Sequence, residues 1–228
     1  MSLDPEDVWA LSNLGDVRKD LALIWARRGN LVQAETERLL AIEFLERAIA
    51  IGSPKPQFPM VYFNLAMVKV DQGKFPEALF LLKKAADAPD AANVWEFSYW
   101  MGYCYLATTG SVSDAIPHLR QAVRIRPSYP PGLRLLGYSL DGIGESDEAV
   151  ALYQRALGVA PASYETHYLL GTALQGQEKH TIALQHMMRA RELVEEAPET
   201  SSREAYRRSI EKELQQFRNH AEGVTTGQ

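Results

Sequence analysis

The chain has 228 residues, 46% of them hydrophobic and 23% charged, the composition of a globular protein with a sizeable core. Its formal net charge of −5 lacks the basic excess of a nucleic-acid binder, so nucleic acid is not an expected partner. The one cysteine, Cys104, cannot form an internal disulfide; the opening MSLDPEDVW lacks the pattern of a signal peptide, no run suits a membrane helix, and the cytoplasm, without a membrane partner, is the expected setting.

Taken in chain order, residues 4–54 read as an irregular helical hairpin. Asp4 can cap the first helix and Pro5 suits its first turn. Leu14, Val17, Leu21 and Ile24 then form an apolar stripe at helical spacing, and Gly29-Asn30 makes a turn. A second helix is expected over about 31–51, with Leu40, Phe44, Leu45, Ala48 and Ile49 inward. The segment SPKPQFP (53–59) is a proline-rich, semi-rigid connector.

Self-similarity starts after the connector. In LLGYSLDGIGESDEAVALYQRALGVAP (135–161), small residues stand at Gly137, Ala149 and Ala156. Leu136-Gly137 returns downstream as Leu170-Gly171, and upstream as Met101-Gly102 and Leu65-Ala66. The second half returns too: Ala78, Leu82, Ala85; then Ala115, Leu119, Ala122; then Ala149, Tyr153, Ala156; then Ala183, Met187, Ala190. Pro127 and Pro161 follow two of these units, Pro89 comes one place early, and the last has Glu195 there. Such repetition is the mark of a repeat architecture.

The pattern resembles the tetratricopeptide repeat, over about 59–197. The best unit carries Leu133, Leu136, Gly137, Leu140, Gly144, Ala149, Tyr153, Ala156 and Pro161 in the pattern places, without the first aromatic. The resemblance implies an all-α, right-handed superhelical solenoid of antiparallel helix pairs. The repeats are expected at 59–94, 95–129, 130–163 and 164–197, followed by a capping helix at about 201–220. Gly137 and Ala149 are expected where two helices approach most closely, and Gly142 and Gly144 in a turn where positive φ is cheap. Ser146 is expected to cap the second helix, and Ser201–Glu204 to form a capping box. Residues 221–228 are expected to fray.

The resemblance also implies which residues point into the groove. These are Phe63 and Met67, then Tyr99 and Tyr103, then Arg134, Tyr138 and Asp141, then Tyr168, Thr172 and Gln175. Tyrosines offer contact area at little entropy cost and keep a hydroxyl for hydrogen bonding. Some of them could instead pack between repeats. Asn64, Arg134 and Gln175 are the candidate hydrogen-bonding groups for a bound segment. The family's clamp for acidic chaperone tails needs a Lys and Asn pair on the first unit, where this chain has Phe63 and Met67. Chaperone-tail binding is therefore not expected.

The search for chemistry yields little. His180 and His186 lie six residues apart, too far to share a helical face, and His118, His167 and His220 read as packing or surface residues. Glu35, Glu37, Glu43 and Glu46 read as a solvated face, Cys104 as a packed small residue, and Arg120, Arg124 and Arg126 as partners of a helix C-terminus. No catalytic, metal or cofactor site is expected. The leading expectation is a non-catalytic adaptor that binds another protein or peptide in an aromatic-lined groove. One alternative is a homo-oligomer formed through the N-terminal hairpin, using Val8, Trp9, Leu11 and Leu14. A more distant one is the repeat portion of a larger enzyme.

Overall fold

A computed structural model describes residues 5–52, 58–89, 91–198 and 200–225. The described residues hold eleven α-helices and no strand. They divide into two compact units, residues 1–125 and 126–228. Asp4 and most of the proline-rich connector lie outside the described residues. Each unit is an array of antiparallel helix pairs, so the all-α, tetratricopeptide-type fold expected from the sequence is present in both.

The first unit contains three pairs. They are α1 (Pro5–Arg27) with α2 (Leu31–Gly52), α3 (Pro59–Asp71) with α4 (Phe75–Ala86), and α5 (Trp95–Thr109) with α6 (Val112–Ile125); a short 3-10 turn, Ala91–Asn93, precedes α5. Its core runs through Val8, Leu45, Val61, Leu65, Leu82, Phe97, Met101 and Cys104. Leu45, Leu82 and Phe97 are at most 1% exposed, and each such side chain contributes about 1.5–3 kcal/mol by leaving water.

The second unit contains α7 (Pro130–Asp141) with α8 (Ser146–Val159), α9 (Tyr164–Gly176) with α10 (His180–Glu196), and α11 (Ser201–Thr225). Ile210 and Leu214 of α11 pack on Met187, Ala190 and Val194 of α10. Arg203 fastens the α10–α11 corner. Its Nε donates to the Val194 carbonyl at 2.6 Å and its Nη2 to the Glu195 carbonyl at 3.0 Å. These carbonyls belong to the last turn of α10, which has no intrahelical donors left for them.

The repeated small residues meet large ones in every glycine-bearing pair. A Cβ on Gly137 would stand 2.7 Å from Cε1 of Tyr153, one on Gly102 2.6 Å from Cγ of Leu119, and one on Gly171 3.0 Å from Cε of Met187. The N-terminal pair uses the same device: a Cβ on Gly15 would stand 2.5 Å from Cγ of Leu45. In α3 the equivalent place is held by Ala66, which is fully buried.

Several local expectations change. Among the turn glycines of DGIGES only Gly144 has positive φ, at 85°, whereas Gly142 is right-handed at −62°. The matching turn after α9 places Glu178 at φ 59°, a strained conformation for a residue with a Cβ. Ser146 does not cap α8; its hydroxyl donates to Asp141 Oδ1 at 2.6 Å. Thr200 takes the role given to Ser201, its Oγ1 accepting from the Arg203 amide at 3.0 Å. Helix α11 continues to Thr225, beyond the expected end near 220.

The N-terminal pair departs most. Its α1 stripe faces outward: Leu14, Val17 and Ile24 are 45%, 56% and 43% exposed. The opposite face, with Val8, Ser12, Gly15 and Ala22, is the buried one. In α2 the buried residues are Ala34, Glu37, Ala41, Leu45 and Ala48, while Leu40 and Phe44 are half-buried. Glu37 is thus no member of a solvated face. It accepts from Arg18 Nη1 at 2.9 Å and Gln33 Nε2 at 3.1 Å, and the bond from Arg18 holds its pKa below the ordinary carboxylate value.

These contacts rank the glycines. An alanine on a helix gains up to about 1 kcal/mol of propensity over glycine, against an overpacking cost of about 1–3 kcal/mol. Gly137→Ala and Gly102→Ala, which press on a ring and on a branched carbon, are expected to lower stability by about 1–2 kcal/mol net. Gly171→Ala, whose added carbon would stand 3.0 Å from Cε and 3.1 Å from Cγ of Met187 and 3.2 Å from the Ala183 carbonyl oxygen, looser contacts than at the other two, is expected to cost less than either. Urea unfolding of the three variants, followed by circular dichroism, checks the order.

Candidate partner-binding faces

The first helices of the pairs carry the residues of interest in each unit. In the first unit, α1, α3 and α5 surround a cavity of about 390 Å³. Its walls are Ala22 and Leu23 from α1, Phe63, Met67, Val68 and Val70 from α3, and Trp100 from α5. Lys19 and Asp20 of α1, Arg38 of α2 and Asp71 of α3 supply its charged lining. Lys19 Nζ lies 2.5 Å from Asp16 Oδ1, and Arg38 bonds Asp71 through Nε and Glu35 through Nη1, the latter at 3.1 Å. Arg38 thereby ties α2 to α3 beside the cavity.

Aromatic rings continue along α5. Trp100 contacts Tyr99 and Tyr103 with ring centroids 5.2 and 5.4 Å apart, and Tyr103 reaches Phe75 of α4 at 6.0 Å. Phe63 leans on the buried Phe97 at 5.4 Å. Edge-to-face pairs of this kind orient one another. Phe63 and Met67 therefore meet at one cavity, and Tyr99 and Tyr103 flank its Trp100 wall. Asn64 does not join them. It lies on the stripe of Val61, Leu65 and Val68, is only 7% exposed, and faces the core, so its amide is not offered to a bound segment.

In the second unit Arg134, Tyr138 and Asp141 share one face of α7, at helical spacing. Tyr138 is 55% exposed. Asp141 is engaged by Ser146. Below them Tyr153 is fully buried against Gly137, and burial raises the pKa of its hydroxyl. Tyr168 is largely a packing residue: Tyr206 of α11 stands edge-on to it at 5.6 Å, and Ser209 bonds its hydroxyl. Thr172 Oγ1 donates to the Leu169 carbonyl at 2.8 Å within its own helix. Gln175 is half-buried, and its Oε1 has no hydrogen-bond partner among the described residues. The six residues expected here thus split between an open α7 patch and positions occupied by packing.

Trp100, Lys19, Asp20 and Leu23 were not expected at a site. The cue for Trp100 is WEFSYWMGY (95–103), five aromatic rings in nine residues. The α1 residues carried no such cue.

Among the described residues no group of three or more His, Cys, Asp or Glu side chains could hold a metal ion, and no helix is long and apolar enough to cross a membrane. Cys104 is fully buried, and burial pushes its thiol up to about 12, so it stays protonated at neutral pH. Two histidines separated in sequence do meet: His167 Nδ1 lies 3.0 Å from His186 Nδ1. His167 Nε2 is 3.1 Å from the Pro161 carbonyl. That carbonyl can only accept, so Nε2 carries the proton and His167 Nδ1 accepts from His186 Nδ1–H.

The chain belongs to the tetratricopeptide-repeat family: the family's sequence profile matches residues 63–130 and 134–198, more than half of its length. Its fold is similar to MamA from Desulfovibrio magneticus RS-1 (residues 41 to the end), with a TM-score of 0.63 at 19% identity over 81% of this chain and 97% of that one. It is also similar to YrrB, a tetratricopeptide-repeat protein with an unusual peptide-binding site, with a TM-score of 0.60 at 20% identity over 77% of this chain and 84% of that one. In sequence it is 34% identical over 102 residues to the protein O-mannosyl-transferase Tmtc3 of Drosophila melanogaster. That match takes in 44% of this chain and spans 11% of Tmtc3.

Burial is the main cause that lowers the pKa of both histidines, with Arg189 adding to the effect on His167 and His167 to that on His186. A group that is harder to protonate folded than unfolded contributes stability above its unfolded pKa and loses it as pH falls. Stability is therefore expected to decline as pH drops below about 6.5. The double variant His167→Gln/His186→Gln should flatten that decline in part, since His118 is shifted the same way by burial. Urea midpoints on either side of this pH test it.

Proposed function

We propose that this chain is a non-catalytic adaptor, working in the cytoplasm, that holds a segment of a partner protein against the first helices of its pairs. The repeats at 59–94, 95–129, 130–163 and 164–197 are the units of this scaffold, and the pair before them adds a wall to the first face. The observation that carries the reading is the apolar cavity bounded by Phe63, Met67 and Trp100, left open beside the Tyr99 and Tyr103 rings. Aromatic residues around an uncovered pocket are the usual composition of an energetic centre of protein recognition. The exposed Tyr138, with Arg134 beside it on α7, gives a second patch of the same character. Peptide binding by YrrB, which shares the fold, agrees with this reading. The resemblance to Tmtc3 concerns about a tenth of that transferase, so its activity is not carried over to this chain.

Affinity capture from a source lysate, with Tyr103→Ala/Tyr138→Ala run beside the wild type, is the direct test. A partner retained by the wild type and lost by the variant, with unchanged circular dichroism, is the expected result. A partner retained equally by both would move the site to the N-terminal pair or the opposite face.

One observation favours a second reading, self-association through α1. Its stripe of Leu14, Val17 and Ile24 stays exposed, although Val8 is core and Trp9 stands edge-on to Phe58 at 6.0 Å. Exposed stripes of this kind mark interaction surfaces. On this reading light scattering gives a mass that rises with concentration, and Val17→Asp returns it to that of one copy. A single-copy mass throughout removes it.

A further inference from the structure

The cavity between α1, α3 and α5 has a charge arrangement that selects its occupant. Its two cations are largely covered and already engaged. The side chains of Lys19 and Arg38 are 17% and 15% exposed, Lys19 against Asp16 and Arg38 against Asp71 and Glu35. The carboxylates paired with them are more exposed: Asp20, which lines the cavity and lies 3.7 Å from Lys19, is 64% exposed, and Glu35 and Asp16, beside the cations but outside the cavity lining, are 50% and 46% exposed. An approaching chain therefore meets the exposed Asp20 carboxylate at the rim and apolar wall inside. A carboxylate ligand would have to share Lys19 with Asp16 and Asp20, or Arg38 with Asp71 and Glu35, and would meet their charge as it did so.

We propose that this cavity is the anchor of the partner-binding face, and that it takes a bulky uncharged side chain, aromatic or branched aliphatic, from a segment with Lys or Arg next to the anchor. The proposal rests on the reading of α1, α3 and α5 as the partner face. The volume, about 390 Å³, admits any single side chain, and Leu23, Phe63, Met67 and Trp100 offer it only apolar and aromatic contact. Affinity comes from this burial. The neighbouring cation sets sequence preference, because an exposed ion pair changes affinity by no more than about fivefold. A cation that reaches the Trp100 or Phe63 ring would add to that preference. Salt weakens the preference and leaves the anchor term in place.

The test selects peptides from a random displayed library on the full chain, then measures the winners on two variants. Leu23→Trp fills the cavity from its half-buried rim, and Asp20→Lys reverses the most exposed charge. Circular dichroism and thermal melting establish that both are folded. The expected winners share a large apolar residue with Lys or Arg within two places, bind Leu23→Trp at least about tenfold more weakly, and lose their preference for a basic flank on Asp20→Lys. Winners that bind Leu23→Trp as tightly as the wild type, or that carry acidic flanks, overturn the anchor; if they still weaken on Tyr103→Ala, the partner-face reading survives without it. A library that yields no binder to the full chain overturns both.

Discussion

Close approach of paired helices is the constraint on which the structure depends. In four of the five pairs the helices are held at a distance that leaves no room for a Cβ on the first helix where the second presents a large residue, and in the remaining pair the buried Ala66 takes that place. Gly102 faces Leu119, Gly137 faces Tyr153 and Gly171 faces Met187. The large residue is flanked along its helix by buried alanines, such as Ala149 and Ala156 beside Tyr153. Small residues bring the backbones together, and the single large residue fills the space that remains. Once that distance is set, the second helices can bury an alanine stripe. The first helices are left with one face in the core and another outside it, and the outer face is where Phe63, Met67, Tyr138 and their neighbours stand.

This explains why the fold was legible in the sequence and the site only in part. Packing at the close approach admits few residue types, so Leu-Gly and Ala-x-x-x-large-x-x-Ala recur and can be counted. The outer face is under no such constraint. Its residues must be read by position, and position says which side of a helix a residue occupies, not what covers that side. Phe63 and Met67 sit at a cavity, whereas Tyr168, in a matching place, is covered by Tyr206 from α11. Asn64 lies one place from Phe63 and falls on the buried side. Trp100 was missed for the converse reason: it precedes the Met101-Gly102 anchor and holds no inward place in the pattern, but its ring is large enough to reach the cavity from the side.

The N-terminal pair shows where periodicity misleads. Leu14, Val17, Leu21 and Ile24 make the better apolar stripe by count, and Val8, Ser12, Gly15 and Ala22 the poorer. The poorer stripe is the one in the core. Gly15 decides it, because Leu45 can seat against α1 only where a Cβ is missing. Gly15 and Leu45 are the same couple as Gly137 and Tyr153, separated by extra helical turns that hide the correspondence in the sequence. The buried face then takes up Glu37 as well, tolerable there because Arg18 and Gln33 answer its carboxylate. A glutamate in a run of glutamates gave no hint of this.

The same pair also changes the shape of the first unit's outer face. Without α1 and α2, the outer face of α3 and α5 would offer Phe63, Met67 and Trp100 as an open aromatic surface. Leu23 closes it into a cavity, and Lys19, Asp20 and Arg38 give it a charged rim. The two cations owe their small exposure to pairing with acids of their own unit, which leaves carboxylates outermost. Arg38 ties α2 to α3 through Asp71, whereas Lys19 pairs with Asp16 and Asp20 on α1 itself, so the contact that completes the first unit also engages one of the two cations beside the cavity.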